Sequence, residues 1–90
     1  MEDLIPTKNG IVLYIRNPES LIFKGIVDSI SSFNEKGPFD ILPVHENFIT
    51  IIKGKVVSVA NGKSQDFLLD LGIMKVTGNV VHVFLGTESL

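Results

Sequence analysis

Apolar residues recur at every second position through most of this chain. The period of two runs through residues 11–16, 21–28, 67–71 and 80–85. Successive side chains of a β-strand point to opposite faces of a sheet, so this spacing predicts strands. Branched and aromatic residues are abundant in the same segments, which also favours strands. No window of 11 or more residues carries a capped helical stripe, so we expect no helix.

Short turn sequences separate these apolar segments. They are Asn9-Gly10, Asn17-Pro18, Gly37-Pro38, Lys53-Gly54, Asn61-Gly62 and Gly78-Asn79. Asn-Gly is the strongest of them because both residues tolerate the positive φ of a type I′ hairpin turn. We predict one hairpin that joins residues 56–60 to 65–71 and a second that joins 73–76 to 80–85. The fold class is therefore all-β: an antiparallel β-sandwich or flattened barrel of about 8–10 short strands in two sheets.

The composition is that of one ordinary folded domain. Hydrophobic residues make up 44% of the 90 residues and charged residues 20%, with a formal net charge of −2. Basic residues are scattered singly, whereas nucleic-acid binders carry a basic stripe, so we expect no nucleic-acid partner. No apolar run approaches the roughly 18–20 residues of a membrane span, so we expect no direct membrane insertion. We divide the chain into an arm (residues 1–10), a sandwich domain (11–86) and a tail (87–90).

Candidate catalytic residues are few. His82 lies inside a predicted strand, and His45 precedes Glu46 in a predicted loop. A metal site needs three or four convergent donors, and adjacent residues on extended backbone point apart. The chain also has no cysteine, and Lys53-Gly54-Lys55 lacks the glycine-rich lead and following hydroxyl of a phosphate-binding loop. We therefore expect no catalytic residues, no metal ion and no cofactor.

Two predicted strands are apolar on both faces. They are residues 48–52 and residues 80–85. In a two-layer sandwich one face of each strand normally meets water and is polar. Such strands are either central and covered, or they present an apolar patch to another protein. The pattern alone leaves both alternatives open.

Three segments resemble the signature motifs of the ε subunit of F-type ATP synthases, which is called δ in mitochondria. They are PESLIFKGIVDSI at residues 18–30, GPFDILPVHENFIT at 37–50 and GIMKVTGNVVHV at 72–83. Their order and spacing match the family over about residues 11–86. Val44, Asp40 and Leu71 stand where the family has glycine. Losing these glycines removes places where the backbone could adopt positive φ or approach a neighbour closely, so we expect the loop around His45 to depart from the family's usual partner contacts.

The resemblance implies the N-terminal β-sandwich domain of a non-catalytic central-stalk subunit. Such a subunit couples rotation of the c-ring to the γ shaft within an α3β3γε-type assembly, for ATP synthesis driven by protons or sodium ions. It would lie on the cytoplasmic face of the bacterial inner membrane as a peripheral protein. The family's C-terminal helical hairpin has no counterpart before Leu90, so we expect neither nucleotide binding nor inhibition of ATP hydrolysis.

The resemblance also implies contact residues. The candidates for loops facing the c-ring are Asn34, Glu35, Lys36, Gly37, Pro38, Val44, His45 and Glu46. The candidates for the side facing γ are Asn17, Phe48, Ile49 and Thr50. The alternative function is a free-standing β-sandwich adaptor that binds another protein or a peptide along a sheet edge.

Overall fold

The computed structural model describes residues 10–86, which form seven β-strands. They are β1 Ile11–Arg16, β2 Leu21–Val27, β3 Ser29–Asn34, β4 Gly37–Ile41, β5 Phe48–Ala60, β6 Lys63–Thr77 and β7 Val80–Leu85. The prediction of an all-β fold is confirmed. No helix occurs in residues 10–86, and so none there is suited to cross a membrane. The predicted tail at 87–90 lies outside the described residues, as does the predicted arm apart from Gly10.

Both predicted hairpins are present. β5 and β6 join across Asn61 and Gly62, whose φ angles are 55° and 77°. Positive φ at both central residues is what a type I′ turn requires. β6 and β7 join across Gly78 and Asn79, and Gly78 supplies a φ of 60°. The paired strands are longer than the predicted ones, because pairing continues beyond the segments with clear alternation.

The strand number, strand length and strand direction differ from the prediction of about 8–10 short antiparallel strands. The seven strands form one mixed sheet in the order β2-β1-β7-β6-β5-β3-β4. β5 has 13 residues and β6 has 15, and β1 pairs with β7 in parallel. The prediction of antiparallel pairing throughout was wrong because alternation gives the face of a side chain but not the direction of the neighbouring strand.

A β-bulge explains why two strands are so long. The register of β5 and β6 shifts between Lys53 and Gly54, and Gly54 has a φ of 87°. The shift leaves Asp70 as the extra residue on β6, and the positive φ of Gly54 on the facing strand lets the pair bend without ending its pairing. Lys53-Gly54 was predicted to be a turn between strands, and the structure shows that it is a bend within one strand.

The bend folds the single sheet over on itself. The first half-sheet contains β2, β1, β7 and the parts of β6 and β5 nearest to β7 in register, residues 71–77 and 48–53. The second half-sheet contains residues 63–69 of β6, residues 54–60 of β5, and β3 and β4. Ile15 and Val83 of the first share one buried core cluster with Ile30 and Val56 of the second. The two half-sheets therefore face each other across one core.

Asp28 joins the half-sheets at a second place. It is the single residue between β2 and β3, and its backbone N–H donates to the carbonyl oxygen of Val59 at 2.6 Å. Its carboxylate accepts a hydrogen bond of 3.0 Å from the backbone N–H of Asn61 in the β5–β6 turn. The chain thus passes from one half-sheet to the other at Asp28, and this bend is tied to the end of the central hairpin.

Candidate protein-docking site

The first half-sheet presents large apolar side chains to solvent. Besides Leu21, Ile22 and Ile26 on β2, the exposed side chains are Ile49 (65% exposed) and Ile51 (63%) on β5, Leu71 (60%) and Ile73 (47%) on β6, and Phe84 (40%) on β7, and these last five adjoin one another. We call these five residues the apolar face. Register places them side by side, because Ile51 pairs with Ile73 and Ile73 pairs with Phe84. A contiguous exposed apolar patch in a small domain marks a surface that binds another protein.

Strand alternation produces this face. Along β5 and β6, Ile52 and Met74 point into the core and are fully buried, while their neighbours Ile51 and Ile73 point outwards. On β7, Val83 likewise points into the core and is fully buried, while Phe84 points outwards. Of the two alternatives for the strands that are apolar on both faces, the structure supports exposure of the outer face rather than coverage by the described residues.

The predicted γ-facing residues are not all on this face. Ile49 belongs to it, whereas Phe48 and Thr50 lie on the other side of the same strand and are half-buried. Asn17 lies in the β1–β2 turn, where its side-chain oxygen accepts hydrogen bonds from the backbone N–H groups of Glu19 (2.9 Å) and Ser20 (2.8 Å). By register Phe48 lies level with the middle of β1, and Asn17 follows the far end of β1. The structure therefore keeps Asn17 apart from the three consecutive residues of β5.

The first segment predicted to face the c-ring is the β3–β4 turn. Asn34 and Gly37 pair across Glu35 and Lys36, and the Asn34 side-chain oxygen accepts a 2.9 Å hydrogen bond from the Lys36 N–H. The Asn34 amide also donates to the Thr50 hydroxyl at 3.2 Å. Pro38 follows in β4, an edge strand where its missing N–H leaves no ladder bond unmade. This turn is thus fixed against the first residues of β5.

The second such segment is the β4–β5 loop. The backbone N–H of Val44 donates to the side-chain oxygen of Asn79, and that of Gly78 donates to the side-chain oxygen of Asn47 at 2.7 Å. These two bonds tie the loop to the β6–β7 turn. Val44 is 76% exposed and has a φ of 66°. The backbone at Val44 therefore keeps the conformation that glycine favours, although valine adopts it less readily.

The two predicted c-ring segments border the same stretch of β5. His45 lies 5.2 Å from Phe48 between ring centroids, and Asn34 bonds to Thr50. An open groove lies between the β3–β4 turn and β5. It is lined by Asn34, Glu35, Lys36, Phe48, Ile49, Thr50, Ile51, Lys53 and Leu71. Ile49, Ile51 and Leu71 belong to both the groove and the apolar face, so the two surfaces are continuous.

Neither histidine lies in a cluster of metal ligands. Residues 10–86 contain no group of three or more His, Cys, Asp or Glu side chains placed to hold a metal ion. His45 Nδ1 hydrogen-bonds to the backbone oxygen of Glu46 at 2.8 Å, so His45 contacts the main chain of its neighbour. His82 stacks between Tyr14 and Phe84, with ring centroids 4.8 Å and 5.9 Å away. Burial lowers the pKa of His82, and the positive charges of Arg16 and Lys75 lower it further.

Sequence reasoning missed most of the apolar face. Of its five residues only Ile49 was among the named candidates. A usable signal was present, because residues 80–85 were recognised as apolar on both faces and Phe84 is an outward residue of that strand. Ile73 could have been found only with the register of β6 against β7, which a single sequence does not provide.

Residues 11–87 match the family model of the ATP synthase delta/epsilon chain, β-sandwich domain. This chain belongs to that family. The resemblance noted from its three motifs is thereby confirmed. The match spans all seven strands, so every surface described above lies within the family domain.

Individual relatives agree with the family match. The ATP synthase epsilon chain of Nitratiruptor sp. is 33% identical over 69 residues, which are 74% of this chain and 54% of the relative. A chain in the Euglena gracilis mitochondrial ATP synthase structure has a TM-score of 0.81 at 17% identity, covering 94% of this chain and 59% of that one. A chain in the Tetrahymena thermophila central stalk and c-ring structure has a TM-score of 0.72 at 16% identity, covering 91% and 66%. The similarity to these two solved structures shows the fold. The present chain spans little more than half the length of the Nitratiruptor relative.

Proposed function

We propose that this chain is the β-sandwich part of a central-stalk subunit of an F-type ATP synthase. In this role it couples rotation of the c-ring to the γ shaft and catalyses no reaction itself. The apolar face carries the proposal: a member of this family exposes five large apolar side chains on one side of its sandwich. Aromatic and aliphatic side chains at the centre of an interface supply most of its binding energy.

The apolar face is the surface that we assign to γ. Ile49, one of the four residues predicted to face γ, lies within it. We place Phe48 and Thr50 behind this surface as supports of β5, and Asn17 at its margin. In this proposal the two half-sheets take the place of the two sheets of the family's sandwich. Residues 11–86 form the domain that docks on γ, with residues 1–10 as an arm and residues 87–90 as a tail.

We assign the c-ring to the loops beside the groove. Asn34–Pro38 and Val44–Glu46 are both fastened to β5 or to the β6–β7 turn by side-chain hydrogen bonds. A part that transmits torque must not yield under load, and loops held in this way are stiffer than free ones. The assembly would place the chain at the cytoplasmic face of the bacterial inner membrane as a peripheral protein.

Co-purification with the γ subunit of the same organism tests the proposal. Native mass spectrometry should show a one-to-one complex, and Ile51→Glu should weaken it at least about tenfold because the charge would be buried at the centre of the interface. Leu68→Glu is the matched control, since Leu68 is 80% exposed on the second half-sheet. The proposal fails if wild-type chain and γ do not associate, or if both variants weaken the complex equally.

A further inference from the structure

Positively charged side chains border the apolar face along the rows of the first half-sheet. Register places Lys24, Tyr14, His82, Lys75 and Ile49 in one row across five strands. The next row holds Arg16, Phe84, Ile73 and Ile51, and Lys53 pairs with Leu71 beyond it. Three lysines and an arginine therefore border the face. No carboxylate occupies these rows in residues 10–86, although the whole chain carries a net charge of −2.

The carboxylates of the described chain lie outside these rows, although Glu35 lines the groove beside Ile49 and Glu19 lies with Arg16 and Phe84 around a second cleft. Asp66 is on the second half-sheet, where it forms an ion pair with Lys55 at 3.7 Å. Asp28 is bound at the bend between β2 and β3. Asp70 lies where β6 passes through the bulge, and the rest lie in loops, turns and the edge strand β4. Positive charge is thus concentrated beside exposed apolar side chains, which favours a partner surface with negative charge.

Arg16 is the most informative of the four cations. Its Nε atom is buried and has no hydrogen-bond partner among the described residues. Its guanidinium carbon lies 6.0 Å from the centroid of the Tyr14 ring. A buried donor without an acceptor is unfavourable, and nearly all such donors in proteins are paired. The Arg16 side chain as a whole is half-buried, and a guanidinium beside an aromatic ring at a protein surface is suited to receive a planar carboxylate.

Arg16 lies beside a row of stacked aromatic side chains. Tyr14 and His82 stack at 4.8 Å with an interplanar angle of 9°, and His82 and Phe84 stack at 5.9 Å with an angle of 10°. Lys24 Nζ lies 5.7 Å from the centroid of the Tyr14 ring on the same surface. Tyrosine and arginine are the residues that most often dominate binding energy in protein interfaces.

We propose that the protein docked on the apolar face presents an aspartate or glutamate side chain to Arg16, with further negative charge towards Lys24 and Lys75. This inference rests on the proposed function, in which that protein is γ. The half-buried position of the Arg16 side chain beside Tyr14 favours a single projecting carboxylate of a folded protein over the headgroups of a lipid surface. Apolar contact at Ile51 and Ile73 supplies area, and the Arg16 ion pair fixes the orientation of the two proteins.

Calorimetric titration of γ with the wild-type chain, Arg16→Gln and Arg16→Lys tests this inference. Arg16→Gln should weaken binding at least about tenfold, because it removes one partner of a desolvated ion pair. It should also flatten the decrease in affinity between about 50 mM and about 300 mM NaCl, since screening grows over that range. Arg16→Lys keeps the charge and the aliphatic stem but lacks the Nε donor, so it should restore the salt dependence and only part of the affinity.

Lys63→Gln is the matched control, because Lys63 is exposed at the start of β6 in the second half-sheet and loses the same charge. It should bind γ as the wild type does. If the wild type binds γ and both Arg16 variants bind within about twofold of it, the inference fails and the proposed function stands. If the wild type does not bind γ, the proposed function fails. Arg16-dependent binding to vesicles of anionic phospholipid, without γ, would overturn the assignment to a protein carboxylate.

Discussion

Replacement of Val44 by glycine should stabilise the chain. Val44 has a φ of 66°, in the left-handed region where the Cβ of an L-residue crowds the following carbonyl oxygen at a cost of about 1–2 kcal/mol. The side chain is 76% exposed, so its loss removes little buried surface. Glycine also makes the unfolded chain more flexible, and this offsets about 0.5–1 kcal/mol of the stability gained by relieving the backbone strain. The expected net gain in the free energy of unfolding is therefore about 0.5–1 kcal/mol.

Thermal and urea unfolding followed by circular dichroism would measure this gain. For a domain of this size it corresponds to a rise of about 2–8 °C in Tm, and the urea midpoint should rise at an unchanged m-value. Val44→Ala is the matched control: it removes the exposed methyl groups but keeps Cβ, so its stability should stay close to that of the wild type. Equal gains in the two variants, or a loss in Val44→Gly, would refute the role of backbone strain.

Three further predictions concern stability. Asp28→Ala should lower the free energy of unfolding by about 0.5–1.5 kcal/mol, because the N–H of Asn61 exchanges this acceptor for water; an unchanged urea midpoint would contradict the role of this bend. Ile52→Val should cost about 0.5–1.5 kcal/mol because Ile52 is fully buried, whereas Ile51→Val, at 63% exposure, should unfold like the wild type. Because the pKa of His82 is lowered in the folded state, the unfolded state binds a proton at this imidazole more readily than the folded state does. Neutral His82 therefore contributes to stability above about pH 6.5, and this contribution is lost as the pH falls below that value. Between pH 8 and pH 5 the Tm should therefore fall less steeply for His82→Gln than for the wild type. Parallel plots of Tm against pH for the two proteins would count against this reasoning.

Local features of the fold could be predicted from the sequence because their causes are local. Asn61-Gly62 and Gly78-Asn79 define two-residue turns by their own backbone preferences, and the strands on either side pair as the turns require. The alternation of Ile52 inwards and Ile51 outwards follows in the same way from the pleat.

Features set by distant residues could not be predicted. The parallel pairing of β1 with β7 joins residues about 70 positions apart in the chain, and alternation carries no information on strand direction. Lys53-Gly54 has the composition of a turn, and only the continued pairing on both sides shows that it is a bulge. Positive φ at Val44 depends on hydrogen bonds from the β4–β5 loop to the β6–β7 turn, which oppose the local preference of valine.

The candidate site was predicted only in part for the same reason. The two-faced character of residues 48–52 and 80–85 indicated a docking surface, but not which side of each strand faces outwards. That choice depends on where the second half-sheet covers the first. Leu71 and Ile73 join the apolar face only because β6 lies between β5 and β7 in the sheet.

Protection of the apolar face by γ is the most direct test of the account. The chain contains no cysteine, so Ile73→Cys and Leu68→Cys each introduce a single thiol whose labelling by a maleimide can be followed by mass spectrometry. The account predicts that γ slows labelling at position 73 at least about tenfold and leaves position 68 unchanged, because only the first becomes buried. Equal labelling rates at position 73 with and without bound γ would contradict the claim that the sandwich docks through this face.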